Sequence, residues 1–248
     1  MIYIVTVHHK TNMWIELQQK CLQKYTNEEY KIYGCNFQVG EYNKNYFFYE
    51  NDLPGIGHHP RVSFLTDRIL ENKNIDDDDL ILFLDGDAFP IANWVDFVKE
   101  KLIDNFLVGV ERLENEEMYP HVSFICTYIK NWKEIMTWGD AWQHKGSGGP
   151  NDYGSMLGDR LRNKNIKWYK LHRSNKTNYH PLFFGIYDNL VYHHGCGFRA
   201  PKTFIDRKKV SNKISLDNII DKNKVDSEIV YSKLVEDYES LMGNLSNE

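Results

Sequence analysis

Two rhythms of apolar and polar positions alternate along the 248 residues. Residues 2–7, IYIVTV, are apolar and β-branched without interruption, which predicts a short buried strand. From an N-cap at Thr11 or Asn12, the spacing then becomes helical, with Trp14, Leu17, Cys21 and Tyr25 on one face. YKIYGCNF (30–37) reads as a second strand, followed by a loop rich in Asn, Gly and Pro. A helix over 61–72 would bury Val62, Leu65 and Ile69. The acidic turn DDDD (76–79) leads into the strand LILFL (80–84). A helix over 93–101 and strands at FLVGV (106–110) and HVSFICTYI (121–129) complete the first half. Strands separated by helices of about 10–15 residues indicate βαβ units, hence an α/β domain with a mainly parallel central sheet flanked by helices.

The second half is less regular. Residues 131–142 and 152–163 read as helices, separated by the loop GSGGPN (146–151), and IKWYKL (166–171) reads as a strand. Trp132, Ile135 and Trp142 have the spacing of core residues. Near the end, 226–243 is amphipathic: Val230, Leu234, Tyr238 and Leu241 share a face, and Gly243 is a natural C-cap. No repeat is present. The expected organisation is one domain over 1–201 and a polar C-terminal extension over 202–248. The extension's helix would pack on the domain or form a homo-oligomer contact.

Charge and composition narrow the function. A formal net charge of -5 gives no bulk attraction to nucleic acid or anionic membrane. No apolar stretch approaches the roughly 18 residues of a membrane span, and MIYIVTVHHK has no basic leader. Cys21, Cys35, Cys126 and Cys196 form no C-x-x-C pair, which predicts reduced thiols and a cytoplasmic protein.

The candidate chemistry lies in LILFLDGDAFP (80–90), where a buried strand ends in two aspartates separated by one glycine. Ligands of open α/β sheets bind outside the carboxyl ends of the strands, where Asp85 and Asp87 would stand. Gly86 allows the backbone to turn and a neighbour to approach closely. Two carboxylates so close call for a cation or for one raised pKa, and oxygen donors suit Mg²⁺ or Mn²⁺. The plain alternative is a turn in which both aspartates bond to backbone.

LFLDGDAF resembles the D-x-D element of GT-A fold glycosyltransferases, and the order of elements over about residues 1–200 is similar to theirs. The resemblance implies a single GT-A-like (Rossmann-like) domain. It also implies a metal-dependent transfer from a nucleotide-diphosphate sugar to an acceptor hydroxyl, such as that of a glycan. Asp85 would contact ribose or sugar and reach the metal, and Asp87 would bind the ion that holds the diphosphate. In VYHHGCGFRAP (191–201), His194 opens an H-x-x-G spacing like that of family members whose late histidine completes the metal shell. It is preferred over His193, and an imidazole ligand favours Mn²⁺ over Mg²⁺. Arg199, where the family usually has lysine, would pair with a phosphate. Thr6 and His8, after the first strand, would line the nucleotide.

Asp152 resembles the acidic residue that opens the acceptor-side helix in inverting members, and would be the general base, although Asp is also a good helix cap. An acid there favours inversion, while H-x-x-G occurs in retaining relatives. His58 and His59 lie in a Pro/Gly-rich loop, and Arg61 and Arg68 read as surface charges. Two rivals stand beside this reading. A haloacid-dehalogenase-like phosphatase also places D-x-D after an apolar strand, but usually near the N-terminus and followed by Thr or Val, where this chain has Ala88. The other is a non-catalytic nucleotide- or glycan-binding protein.

Overall fold

The computed structural model describes residues 1–55, 57–139, 141–142, 153–178, 183–195, 230–234 and 236–246. Strand β1 (Ile2–His9) lies between β2 (Tyr30–Phe37) and β4 (Leu80–Asp85), parallel to both, and β3 (Tyr49–Asn51) extends the parallel set beyond β2. β7 (Glu117–Tyr128) runs antiparallel to β4 and to β6 (Val108–Arg112), and β8 (Tyr169–Leu171) pairs parallel with β6. The seven-stranded order is β3-β2-β1-β4-β7-β6-β8. This is the expected α/β architecture, a mainly parallel sheet flanked by helices.

The uninterrupted apolar runs of β1 and β4 follow from burial on both faces. On one face Ile2, Ile4, Leu80, Leu82 and Leu84 pack against helices α1 (Met13–Tyr25) and α3 (Val95–Leu102). On the other, Tyr3, Val5, Ile81 and Phe83 meet α2 (His58–Leu70), α4 (Ile129–Thr137) and α5 (Ser155–Asn163). Trp132, Ile135 and Trp142 are core, as their spacing predicts.

Three features differ from the sequence expectation. First, α2 starts at His58 rather than 61, because Pro60 is tolerated in a first helical turn. His58 and His59 therefore belong to a helix, not a loop. Second, Arg61 is buried: its guanidinium lies 4.3 Å from the Phe37 ring centre and donates to the Leu53 carbonyl at 3.1 Å. Arg68 is exposed, as expected, and pairs with Glu71. Third, the amphipathic tail is not one helix. Residues 230–234 are helical, and a new helix, α6 (Tyr238–Leu245), starts at Asp237, whose side chain caps it by accepting from Ser240 N at 3.0 Å. Gly243 lies inside α6, and Ser246 is its C-cap.

The tail's apolar residues Val230, Leu234, Leu241 and Leu245 are buried in one cluster with Trp14, Cys21, Phe89 and Tyr192. The stripe considered for self-association is thus covered within the chain. A small antiparallel sheet that the sequence did not announce links these parts: β5 (Ala88–Pro90), β10 (Val191–His193) and β9 (Gly185–Tyr187), in the order β5-β10-β9. β5 starts directly after the Asp85-Gly86-Asp87 turn, so this sheet determines what faces the two carboxylates.

Candidate metal centre

The turn that ends β4 is held from two sides. From α1, the buried Gln18 side chain donates Nε2 to the carbonyls of Asp85 and Ala88, each at 2.8 Å, spanning the turn like a clamp. Thr6 Oγ1 donates in turn to Gln18 Oε1 at 3.2 Å. From β1, the backbone passes so close that a Cβ on Gly86 would lie 2.5 Å from the Val7 carbonyl oxygen and 2.8 Å from His8 Nδ1. Only glycine fits that crossing, and both carboxylates are fixed by it.

The register of β10 on β5 places His193 opposite Ala88. His193 Nε2 lies 3.5 Å from Asp87 Oδ1 and 3.8 Å from Asp85 Oδ2. One donor atom from each of Asp85, Asp87 and His193 can be chosen so that all lie within 4.8 Å of one another. Around an octahedral ion with bonds of about 2.1 Å, ligand atoms are separated by roughly 3–4 Å, so this donor set fits a small divalent cation. Two carboxylate oxygens and one imidazole nitrogen suit Mn²⁺ or Mg²⁺, with the nitrogen favouring Mn²⁺. Burial pushes the Asp87 carboxyl up, but the neighbouring His193 outweighs it and holds it at about 2. Asp87 is therefore an anion at neutral pH.

His194, the residue preferred from the sequence, is placed elsewhere. Successive residues leave a strand on opposite faces, so with His193 turned to the aspartates, His194 enters the core with Tyr192. Its ring lies 4.5 Å from that of Trp14 and 4.8 Å from that of Phe184, and Nδ1 pairs with Tyr192 Oη at 3.0 Å. Burial pushes the His194 imidazole down to about 3. Its link to the site is through the backbone: His194 N donates to the Asp87 carbonyl at 3.0 Å.

No family model matches the chain, and no curated protein matches it. Among solved structures, it is similar to the galactosyltransferase LgtC in complex with donor and acceptor sugar analogs, at 13% identity over 68% of this chain and 73% of that one, TM-score 0.42. It is also similar to the glycosyltransferase GlyE of Streptococcus pneumoniae TIGR4 in its apo form, at 16% identity over 68% of this chain and 44% of that one, TM-score 0.42. A third is the bifunctional glycosyltransferase WbbM, at 13% identity over 68% and 38%, TM-score 0.43. All three are glycosyltransferases. A likeness of this degree assigns no residue a role.

The remaining sequence candidates divide. Thr6 is buried and spends its hydroxyl on Gln18, supporting the turn. His8 is buried at the end of β1, and burial lowers it to about 4 despite the opposing pull of Asp87, the Gln18 hydrogen bond and Asp85. Its Nε2 has no hydrogen-bond partner among the described residues. Asp152, Arg199 and the loop 146–151 lie outside the described residues.

Two residues of the site escaped the sequence reading. His58 Nε2 lies 3.2 Å from Asp85 Oδ1. The ring of His121, on β7, is 5.4 Å from that of His193. His121 is buried, and accepts at Nδ1 from Ser123 N at 3.1 Å. Burial, then the charge of Arg112, pushes it well below the usual histidine range. A signal for His121 existed: it alternates with Ser123 on a strand that passes the end of β4. His58 had none, because its contact with Asp85 spans the whole of α2, the connection after it and β4.

Proposed function

We propose that this chain is a glycosyltransferase that moves a sugar from a nucleotide-diphosphate sugar to an acceptor hydroxyl, with Asp85, Asp87 and His193 holding Mn²⁺ or Mg²⁺. The observation that carries this reading is the convergence of those three donors at the carboxyl end of a central strand, where α/β sheets bind ligands. When bound, the ion would supply charge neutralisation for a departing diphosphate. Asp87 offers a carboxylate at neutral pH, and the Gln18 clamp keeps the turn from relaxing under the repulsion of two neighbouring anions. His8 Nε2, a buried polar atom without a partner among the described residues, suits a polar group of the nucleotide at the end of β1.

Arg199 would pair with the diphosphate. Asp152 would take the proton of the acceptor hydroxyl, a role that favours an inverting transfer. Buried free thiols at Cys21, Cys35 and Cys126 fit a cytoplasmic setting. Among the described residues, no helix is long and apolar enough to cross a membrane.

The test is thermal unfolding with UDP, GDP, CDP, dTDP and ADP, each with and without Mn²⁺. A ligand present at 100 times its dissociation constant adds about 2.7 kcal/mol to the folded state. One nucleotide that stabilises only with Mn²⁺ supports the reading and names the donor base. Sugars on that nucleotide are then screened for transfer, and the anomeric configuration of the product is read by NMR. Indifference to all five nucleotides would count against a transferase and direct attention to phosphatase substrates.

A further inference from the structure

His58 stands against the candidate metal centre without belonging to its donor group. The atoms that lie within 4.8 Å of one another come from Asp85, Asp87 and His193. His58 touches only one of these residues among its described contacts to the site, placing Nε2 3.2 Å from Asp85 Oδ1. The two oxygens of Asp85 are thereby divided: Oδ1 faces His58, and Oδ2 faces His193 at 3.8 Å. A carboxylate only accepts hydrogen bonds, so a hydrogen bond across this 3.2 Å contact requires the proton on Nε2.

The ring is also held from behind. His58 opens α2, and Val62, Leu65 and Ile69 root that helix in the core below the sheet. Its ring packs against that of Tyr153 at 5.2 Å between centres. A donor anchored in this way can set the rotation of a carboxylate, whereas a loop histidine would follow it.

We propose that His58 is a positioning residue for the cation site. It donates Nε2–H to Asp85 Oδ1 and so fixes which Asp85 oxygen is presented to a divalent ion. The inference rests on reading Asp85, Asp87 and His193 as that site. Without the donor, the Asp85 carboxylate can rotate away from the negatively charged Asp87, and the site must be reassembled each time an ion binds. Outer partners of metal ligands typically change affinity by about 10–100-fold when removed.

The test uses the full chain and Mn²⁺ alone, with bound ion read from loss of the free-ion EPR signal. The proteins compared are wild type, Asp87→Asn, His58→Ala and His58→Gln, each checked for its unfolding midpoint. A glutamine amide reaches to where Nε2 stands, so it can restore the donor. The expected result is binding by wild type and loss in Asp87→Asn. His58→Ala should be about 10–100-fold weaker, and His58→Gln should recover most of that deficit. Should His58→Ala fail to fold, His58→Gln still decides, because near-wild-type affinity is required of it and affinity as low as that of Asp87→Asn overturns the proposal. Wild-type affinity in a folded His58→Ala overturns the role of His58 while leaving the cation site intact. A His58→Ala deficit that His58→Gln does not repair also overturns it. Equal behaviour of wild type and Asp87→Asn removes the site itself, and the inference with it.

Discussion

His193 pairs with Ala88 across β10 and β5, and this one register brings an imidazole from late in the chain onto Asp87. The next residue reinforces the placement, because His194 N donates to the Asp87 carbonyl at 3.0 Å. A strand ladder, rather than a loop, thus carries the histidine to the carboxylates. The D-G-D turn is built into the same framework: Gln18 clamps it from α1, and the backbone of β1 passes beneath Gly86. Electrostatics and backbone geometry meet there, since the conformation that places two anions together is also the one that glycine alone permits.

Gly86→Ala is expected to be among the most damaging single-methyl changes in the chain. The added Cβ would meet the Val7 carbonyl oxygen at 2.5 Å, and neither backbone can yield without unpairing β1 from β4. A loss of about 3 kcal/mol or more in urea denaturation is expected, at the upper end for overpacked sites. Gly243→Ala is the contrast. Nothing lies within 4 Å of a Cβ there and the residue is inside α6, so alanine should stabilise by about 0.5–1 kcal/mol. Equal tolerance of both changes would contradict the close crossing at Gly86.

Replacing the clamp gives a second prediction. Gln18→Met keeps the length of the side chain but removes both donors to the Asp85 and Ala88 carbonyls. Each carbonyl left unsatisfied in a buried place costs about 1–3 kcal/mol. With two carbonyls affected, stability in urea should fall by about 2–6 kcal/mol, and Mn²⁺ affinity should fall with it as the turn loosens. Unchanged affinity in a destabilised variant would limit Gln18 to a structural role.

These contacts show why some of the architecture was legible in the sequence and some was not. β1 and β4 are buried on both faces, so their continuous apolar runs announced a central parallel sheet, and the aspartates after LILFL announced the site. The small sheet left no such trace. β5, β9 and β10 are three residues each, too short for a period to be read. Which of His193 and His194 faces the aspartates depends on the parity of β10, and parity depends on its pairing with β5. His58 was hidden for a related reason. Proline in the first turn of α2 resembles a loop residue, and the contact with Asp85 is tertiary. In the tail, helical periodicity runs through Asp237, but the side chain caps a new helix there instead of continuing the old one.

Buried histidines give the third prediction, a dependence of stability on pH. In the folded chain burial lowers His194 to about 3 and His8 to about 4, against an ordinary value near 6.5. Below about pH 6.5 the unfolded chain therefore takes up protons that the folded chain refuses. Stability contributed by these neutral rings is present above pH 6.5 and lost as pH falls toward the folded values. The slope is about 1.4 kcal/mol per pH unit for each such histidine. Asp87 adds nothing in this window, since its lowered value matters only below about pH 4. His194→Phe should flatten the decline between pH 6.5 and 5 by about one proton's worth, measured as the urea midpoint against pH. An unaltered slope would mean that His194 takes up its proton without unfolding.

The same substitution separates the two neighbouring histidines in function, and this fourth prediction tests the register directly. His193→Ala removes a ring whose nitrogen lies 3.5 Å from Asp87 Oδ1. It should reduce Mn²⁺ affinity and metal-dependent turnover by more than the about 10–100-fold typical of outer partners. The fold should survive, because the ladder of β10 on β5 is made by backbone. His194→Phe should act in the opposite way. It keeps an aromatic ring between Trp14 and Phe184 but leaves Tyr192 Oη without its Nδ1 partner, at a cost of about 1–3 kcal/mol in stability. Its Mn²⁺ affinity should remain near that of wild type. Isothermal titration of Mn²⁺ into both variants, paired with their unfolding midpoints, reads the two effects separately. Affinity lost in His194→Phe and kept in His193→Ala would reverse the assignment, requiring β10 to present its other face to Asp87 when an ion binds.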